Sequence, residues 1–529
     1  MIAILVSFDP FVNPYHSARS LSYAAKGMVA TSQALAAQAG LDILKRGGNA
    51  VDAAVATAAC LTVVEPTSNG IGGDAFTIVW IKNKMYGLNS SGPAPADISI
   101  EKVKKSGFDK MPLTGWTPVT VPGAPGAWAA LIKRFGNLSL SECLQAAISY
   151  AREGYPVSPV VGQAWKNAHK LYQGEEFKAW YDTFTDNGRA PEIGELWKLP
   201  DHANTLEEIG LSNAENFYTG RLAQAIAETS ASQGGYMKLS DLAGFSPQWV
   251  EPISVNYRGY DVWELPPNGQ GIVALIALNI LKGYENPTHH QQFEAIKLAF
   301  SAGRQLVTDS HQLKQDPLDF LSEDYAAQLR SRITDIAAEP LAPLPYKGGT
   351  VYLATADGEG NMVSYIQSNY MGFGSGIVIP GTGIAMQNRG CDFSLDPEHV
   401  NCLAGGKRCY HTIIPGFLSK NGLPIGPFGV MGGYMQPQGH VQVITNTIDR
   451  HLNPQAALDC PRWQWLEGKK FIIEQDFPRH IALQLAERGH DIQPSLNTGL
   501  FGRGQIIWRG NDVLIGGTES RADSIIAGW

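Results

Sequence analysis

Lys347-Gly348-Gly349-Thr350-Val351-Tyr352-Leu353-Ala354-Thr355-Ala356-Asp357 decides the reading of this chain. Pro340, Pro343 and Pro345 mark a loop before it. After the glycines, Val351, Leu353 and Thr355 alternate with Tyr352, Ala354 and Ala356, and that period of two predicts a half-buried strand. Asp357-Gly358-Glu359-Gly360-Asn361 is a turn, and Met362 to Ser368 predicts the returning strand of a hairpin. Thr350 stands at its mouth.

A threonine hydroxyl is a weak nucleophile by itself. If the Gly349–Thr350 bond breaks, Thr350 gains an α-amine with a reference pKa of about 7.7–8.0. That amine can take the proton of its own hydroxyl, so nucleophile and base belong to one residue. Glycines in front of it tolerate backbone conformations that turn the scissile carbonyl toward the hydroxyl. The plainer reading is a Gly-Gly turn followed by an ordinary strand threonine.

Downstream come Gly372-Phe373-Gly374-Ser375-Gly376, Asn388-Arg389-Gly390-Cys391-Asp392-Phe393-Ser394 and Met431-Gly432-Gly433. Upstream come Gly27-Met28-Val29-Ala30, Gly47-Gly48-Asn49-Ala50-Val51-Asp52, Gly72-Gly73 and Leu265-Pro266-Pro267-Asn268-Gly269-Gln270-Gly271. With Thr350, this ordered set resembles the γ-glutamyltranspeptidase family of N-terminal-nucleophile hydrolases, over residues 27 to 529. No single motif is strong. Gly70–Gly73 and Gly372–Gly376 hint at nucleotide loops, but each leads into a strand and so fails the context that reading needs.

The resemblance implies an α+β fold, a four-layer αββα sandwich. It further implies one interlocked unit of a large segment, 1–349, and a small segment, 350–529, made by self-cleavage at Gly349–Thr350. The implied activity is cleavage of γ-glutamyl amides such as glutathione through a γ-glutamyl-threonyl ester. Water or an amine then takes the acyl group. Two alternatives stand beside it: a glutaryl-type amide (cephalosporin) acylase, and an uncleaved, inactive relative that acts as a binding module.

Residue by residue, Thr350 matches the nucleophile. Gly432 and Gly433 match the glycine pair whose N–H groups face the oxyanion; losing such a donor costs roughly 3–4 kcal/mol of barrier. Ser368 matches a hydroxyl that supports the nucleophile. Asp392 matches the aspartate for the donor's ammonium, and Thr412 the second of two serines near its carboxylate. His411 replaces the first of those serines, Ser91 an arginine that grips the carboxylate, Tyr370 an asparagine and Arg389 a glutamine. If Arg389 faces the donor, its fork can replace the lost arginine. If it pairs with Asp392, an amine-free glutaryl group binds as well as γ-glutamyl or better. Only the short loop Leu395 to Arg408 stands where many relatives carry a lid, which favours hydrolysis over transfer.

The wider composition is that of a globular protein: 529 residues, 44% hydrophobic and 17% charged. A net charge of −8 gives no support to nucleic-acid binding. The expected partners are a small γ-glutamyl substrate and an amine or water, with no cofactor. Six scattered cysteines without a CxxC pair predict reduced thiols. Met1 to Pro10 lacks a basic start and a long apolar run, which predicts a cytoplasmic protein without a signal segment, and no window is long enough for a membrane span. No metal is expected. His289-His290 lacks a third ligand and predicts a solvated helix start, and Cys402, Cys409 and His411 lack a fourth ligand and the usual spacing. Trp165, Trp180 and Trp197 are assigned to packing within a mostly helical stretch from 155 to 250.

Overall fold

The computed structural model describes residues 19–340 and 349–529. Met1 to Pro10, Pro343, Pro345, Lys347 and Gly348 lie outside the described residues. Two seven-stranded sheets lie face to face between layers of helices. The first runs Ile525–Gly528, Gly27–Thr31, Gly349–Asp357, Met362–Tyr370, Asp74–Ile81, Lys84–Ser90, Gln248–Val250. The second runs Ser22–Ala24, Leu514–Thr518, Arg503–Arg509, Leu423–Met431, Gly416–Lys420, Tyr260–Glu264, Ile253–Tyr257. Both sheets draw strands from either side of the Gly349–Thr350 bond.

The predicted hairpin is present, with Val351 opposite Gln367 and Ala356 opposite Met362. Its first strand is not half-buried: every residue from Thr350 to Asp357 is buried. Val351 and Leu353 join the core under helices Ala34–Lys45 and Ala50–Val64. Tyr352 and Ala354 fill the space between the sheets with Phe76, Ile366 and Phe417. Alternation therefore records two different apolar cores rather than core and solvent, which a period of two cannot distinguish.

Helix Ala50–Val64 is buried along its whole length and starts at Asn49, whose side chain forms a reciprocal capping box with Asp52. The hairpin grips that start: Ala50 N donates to Asp357 Oδ2 at 2.9 Å, and Thr355 Oγ1 donates to Ala50 O at 2.6 Å. The preceding helix is capped by the Gln33 side chain, which accepts from Leu35 N and Ala36 N. The second sheet is covered by helices Gly271–Leu281 and Met435–Ile448, packed in a separate apolar cluster.

The stretch from 155 to 250 is largely helical, and its buried tryptophans do pack. Trp165, Trp180 and Phe184 surround Phe373 with ring centroids at 5.4, 5.3 and 4.6 Å. Truncating such a phenylalanine to alanine costs about 3–5 kcal/mol. The glycine-rich loop is what holds Phe373 there. Gly374 has φ +76, and a Cβ on it would fall 2.2 Å from the carbonyl oxygen of Met386.

His290 corrects the expectation of a solvated helix start. It is buried in the first turn of helix His289–Leu306, beside Glu294 and His490. His290 Nε2 donates to Thr334 O at 2.7 Å, which leaves Nδ1 to accept from His490 Nε2 at 2.8 Å. A third potential ligand is thus present, although sequence spacing hides it. The position a cation would take beside Glu294 is held by Lys297 Nζ, 2.6 Å from Glu294 Oε1, which also donates to Ala338 O at 2.6 Å. The cluster fastens Thr334 to Ala338, the segment that runs toward the Gly349–Thr350 junction.

Candidate active site

Thr350 reaches its position through a break in register. Gly349 opposes Tyr370 but Val351 opposes Gln367, so one residue faces two, Ser368 and Asn369. Bulges of this kind re-aim side chains beside active sites. Here the bulge brings two hydroxyls together, with Thr350 Oγ1 3.1 Å from Ser368 Oγ. Both hydroxyls also reach the Gly349 carbonyl oxygen, Thr350 at 2.7 Å and Ser368 at 2.8 Å. The carbonyl of the junction is therefore polarised by hydroxyl donors inside a buried site, where such contacts strengthen.

Tyr370 ends the strand in a left-handed conformation, φ +76. A bulky residue there is a backbone outlier, and such strain concentrates at functional sites. Its N–H donates to Ser368 Oγ at 2.7 Å, and its hydroxyl donates to Asp392 Oδ1 at 3.0 Å. A continuous path thus joins Thr350, Ser368, Tyr370 and Asp392.

Asp392 closes a short turn, Arg389–Asp392, and its backbone carbonyl accepts from Asn401 Nδ2 at 2.8 Å. Burial raises its carboxyl above the ordinary carboxylate range, while the guanidinium groups of Arg389 and then Arg304 act against that rise. Arg389 packs against Thr412, Asp392 and Tyr370. Its Nη1 donates to Thr412 Oγ1 at 2.7 Å and lies 3.9 Å from Asp392 Oδ2, and its guanidinium stacks 4.0 Å over the Tyr370 ring.

Two expected donor contacts are placed elsewhere. Ser91 Oγ donates to Asn89 Oδ1 at 2.7 Å, and its carbonyl accepts from Arg408 Nε at 2.9 Å. His411 Nδ1 accepts from Ile413 N, so Nε2 carries the proton and donates to Asp74 Oδ2 at 3.0 Å. Burial holds the His411 ring well below its usual pKa, with Arg389 adding to the effect, and burial pushes Asp74 up to about 7. The structure gathers the side chains of Thr350, Ser368, Tyr370, Asp392, Arg389 and Thr412. Those of Ser91 and His411 serve the interior.

Gly432 and Gly433 end strand Leu423–Met431 and lead directly into helix Met435–Ile448. Their φ values are +136 and +61, a path open to glycine, at the N-terminus of that helix. Gln270, which sequence reading did not single out, steadies this loop. Its Nε2 donates to Gly433 O at 2.9 Å and to Thr412 O at 2.6 Å, while Oε1 accepts from Tyr410 at 3.1 Å. Arg304 was missed as well. It lies in the last turn of helix His289–Leu306, and its guanidinium packs over Tyr410 at 5.2 Å and Tyr434 at 4.9 Å. Beside it a cavity of about 660 Å³ is lined by Arg304, Asp392, Phe393, Ser394, Lys110 and His399, among others. All six cysteines are free thiols, and no described helix is long and apolar enough to cross a membrane.

Two facing sheets between helical layers, with a threonine at a strand start and its hydroxyl on the preceding carbonyl, define the N-terminal-nucleophile hydrolase class. Within that class the chain belongs to the γ-glutamyltranspeptidase family, which it matches over residues 36–529. It is 37% identical to the glutathione hydrolase-like YwrD proenzyme of Bacillus subtilis, covering 88% of this chain and 91% of that one. It is 32% identical to the oxamate amidohydrolase proenzyme of Klebsiella pneumoniae, covering 95% and 98%. Among solved structures, the cephalosporin acylase of Bacillus halodurans superposes with a TM-score of 0.96 at 57% identity, covering 99% of each chain.

Proposed function

We propose that this protein is a self-processing amide hydrolase. It cleaves itself at Gly349–Thr350 into a large segment, 1–349, and a small segment, 350–529. The freed Thr350 then attacks side-chain amides of five-carbon dicarboxylic acids. The observation that carries the reading is the placement of the Thr350 and Ser368 hydroxyls on the carbonyl of the junction itself. After cleavage the Thr350 amine takes the hydroxyl proton, the acyl group passes to the threonine oxygen, and the C–N bond breaks as the substrate's amine leaves with that proton. The N–H groups at Gly432 and Gly433 receive the oxyanion. Water then releases the acid.

The glutaryl amide is the better substrate on this reading, with γ-glutamyl amides, glutathione included, the alternative. Asp392 Oδ1 is engaged by Tyr370, and Oδ2, without a hydrogen-bond partner among the described residues, lies 3.9 Å from Arg389 Nη1, so an incoming ammonium shares the carboxylate with a phenol and a guanidinium. The similarity to a cephalosporin acylase points the same way. The short loop Leu395 to Arg408 leaves the cavity open to water and bulky leaving groups. The test is turnover of glutaryl and γ-glutamyl p-nitroanilides by purified protein, with and without glycylglycine. Glutaryl turnover should be the faster, and glycylglycine should accelerate neither reaction by more than about twofold. Faster γ-glutamyl turnover that rises steeply with glycylglycine would replace this reading with a γ-glutamyl transferase.

A further inference from the structure

The family arginine that would hold a donor carboxylate is Ser91 here, and Ser91 is spent on Asn89 and Arg408. A monoamide of a dicarboxylic acid still brings a distal carboxylate into the site, and a buried carboxylate without a cationic or hydrogen-bonding partner is costly. Arg389 is only partly available. It is 1% exposed, its Nη1 is committed to Thr412, its face is on Tyr370 and, although its Nε and Nη2 are unpartnered like those of Arg304, it does not line the cavity.

Arg304 is differently placed. It lines the cavity together with Asp392. Its Nε and Nη2 atoms are buried and, among the described residues, have no hydrogen-bond partner. No described carboxylate lies within ion-pair distance of it. Two tyrosine rings fix the guanidinium plane, which removes much of the entropy a free arginine loses on binding. One of these, Tyr434, directly follows Gly433, and the other, Tyr410, lies two residues before Thr412. Lys104 and Lys110 line the same cavity, as do Asp109 and Asp396, so its wall carries both signs of charge. A fork with unpartnered donors beside a cavity that Asp392 also lines is suited to a bidentate anion.

We propose that Arg304 is the specificity-determining residue for the acyl group, receiving its distal carboxylate on Nε and Nη2 in place of the absent arginine. The inference rests on the amidase reading of Thr350. It assigns the same contact to glutaryl and γ-glutamyl donors, which share that carboxylate and differ only at the carbon bearing the amine.

The experiment compares processed wild-type protein with Arg304→Gln and Arg304→Lys. Steady-state kinetics on glutaryl p-nitroanilide are paired with binding of free glutarate, and of butyrate, which is glutarate without its second carboxyl group, followed by calorimetry. Arg304→Gln should raise KM for the glutaryl anilide by about 10- to 100-fold, as expected for a lost charged contact, with kcat within about threefold. It should weaken glutarate by a similar factor and leave butyrate unchanged. Arg304→Lys, which keeps the charge but not the fork, should fall between. An unchanged KM in Arg304→Gln would overturn the assignment, and so would a parallel loss of glutarate and butyrate binding. If Arg304→Gln yields no processed protein, Arg304→Lys decides by the same split between KM and kcat. If wild-type protein hydrolyses neither amide yet binds glutarate through Arg304, the amidase reading fails and the carboxylate assignment stands.

Discussion

The Tyr370 hydroxyl donates to Oδ1 of Asp392 at 3.0 Å, filling one face of the carboxylate that the family resemblance assigns to a donor ammonium. The contact exists because Tyr370 leaves the strand at φ +76 and is anchored by its own N–H on Ser368. Removing the phenol frees an acceptor inside a buried pocket. Tyr370→Asn should therefore shift the ratio of kcat/KM for γ-glutamyl over glutaryl p-nitroanilide upward by about tenfold or more, the scale of a charged hydrogen bond. Asparagine also tolerates positive φ better than tyrosine, so the fold should hold. An unchanged ratio would show that the phenol has no part in selection.

Thr350→Ala should leave one unbroken chain on a denaturing gel and no turnover, since both steps use the same hydroxyl. Ser368→Ala removes one of the two donors on the Gly349 carbonyl and should slow self-cleavage by about 10- to 100-fold, the cost of losing one buried hydrogen bond of roughly 1–3 kcal/mol. A time course of the gel, with N-terminal sequencing of the small segment, reads both. A new terminus at any residue other than Thr350 refutes the assignment.

Gln270 touches no reacting atom on this reading, but it holds the carbonyls of Gly433 and Thr412 with one amide nitrogen. Gln270→Ala should lower kcat by about tenfold or more with little change in KM, because a loosened oxyanion loop weakens the transition state more than the ground state. Equal changes in KM and kcat, or lost self-cleavage, would mark the residue as structural only.

His202 sits among the buried aromatic rings near Phe184, and both of its ring nitrogens are buried and lack partners among the described residues. Burial depresses its pKa from 6.5 to about 4. A base with a depressed folded pKa contributes full stability above its unfolded value, and that stability drains away as pH falls from about 6.5 toward 4. Between pH 6.5 and 5 the loss is at most about 2 kcal/mol, at 1.36 kcal/mol per unit. His202→Leu should therefore narrow the difference in Tm between pH 7 and pH 5. A difference as large as in wild-type protein would show that other groups set the acid lability.

The hairpin around Thr350 and its glycine turns were legible because each rests on residues within a few positions of one another. Exposure was not legible in the same way. Strand Gly349–Asp357 shows regular alternation, yet both its faces are covered by apolar layers contributed by other segments. His289-His290 looked like a polar helix start because Glu294 lies a turn away and His490 lies 200 residues away.

Taken alone, the sequence determined the family, and it pointed to Thr350 as the proposed nucleophile and Gly349–Thr350 as the proposed bond to be cut. These follow from local order: two glycines, a threonine, a strand, and further motifs in sequence. The tertiary structure alone decided what each polar side chain in the pocket is free to do. His411 is engaged by Asp74, 337 residues away, and Asp392 is half-occupied by Tyr370. Arg304 packs against the neighbouring rings of Tyr410 and Tyr434, more than 100 residues further along the chain. Hydrogen-bond partners are chosen by proximity in space, and a buried polar group takes whichever partner the packing brings within about 3 Å.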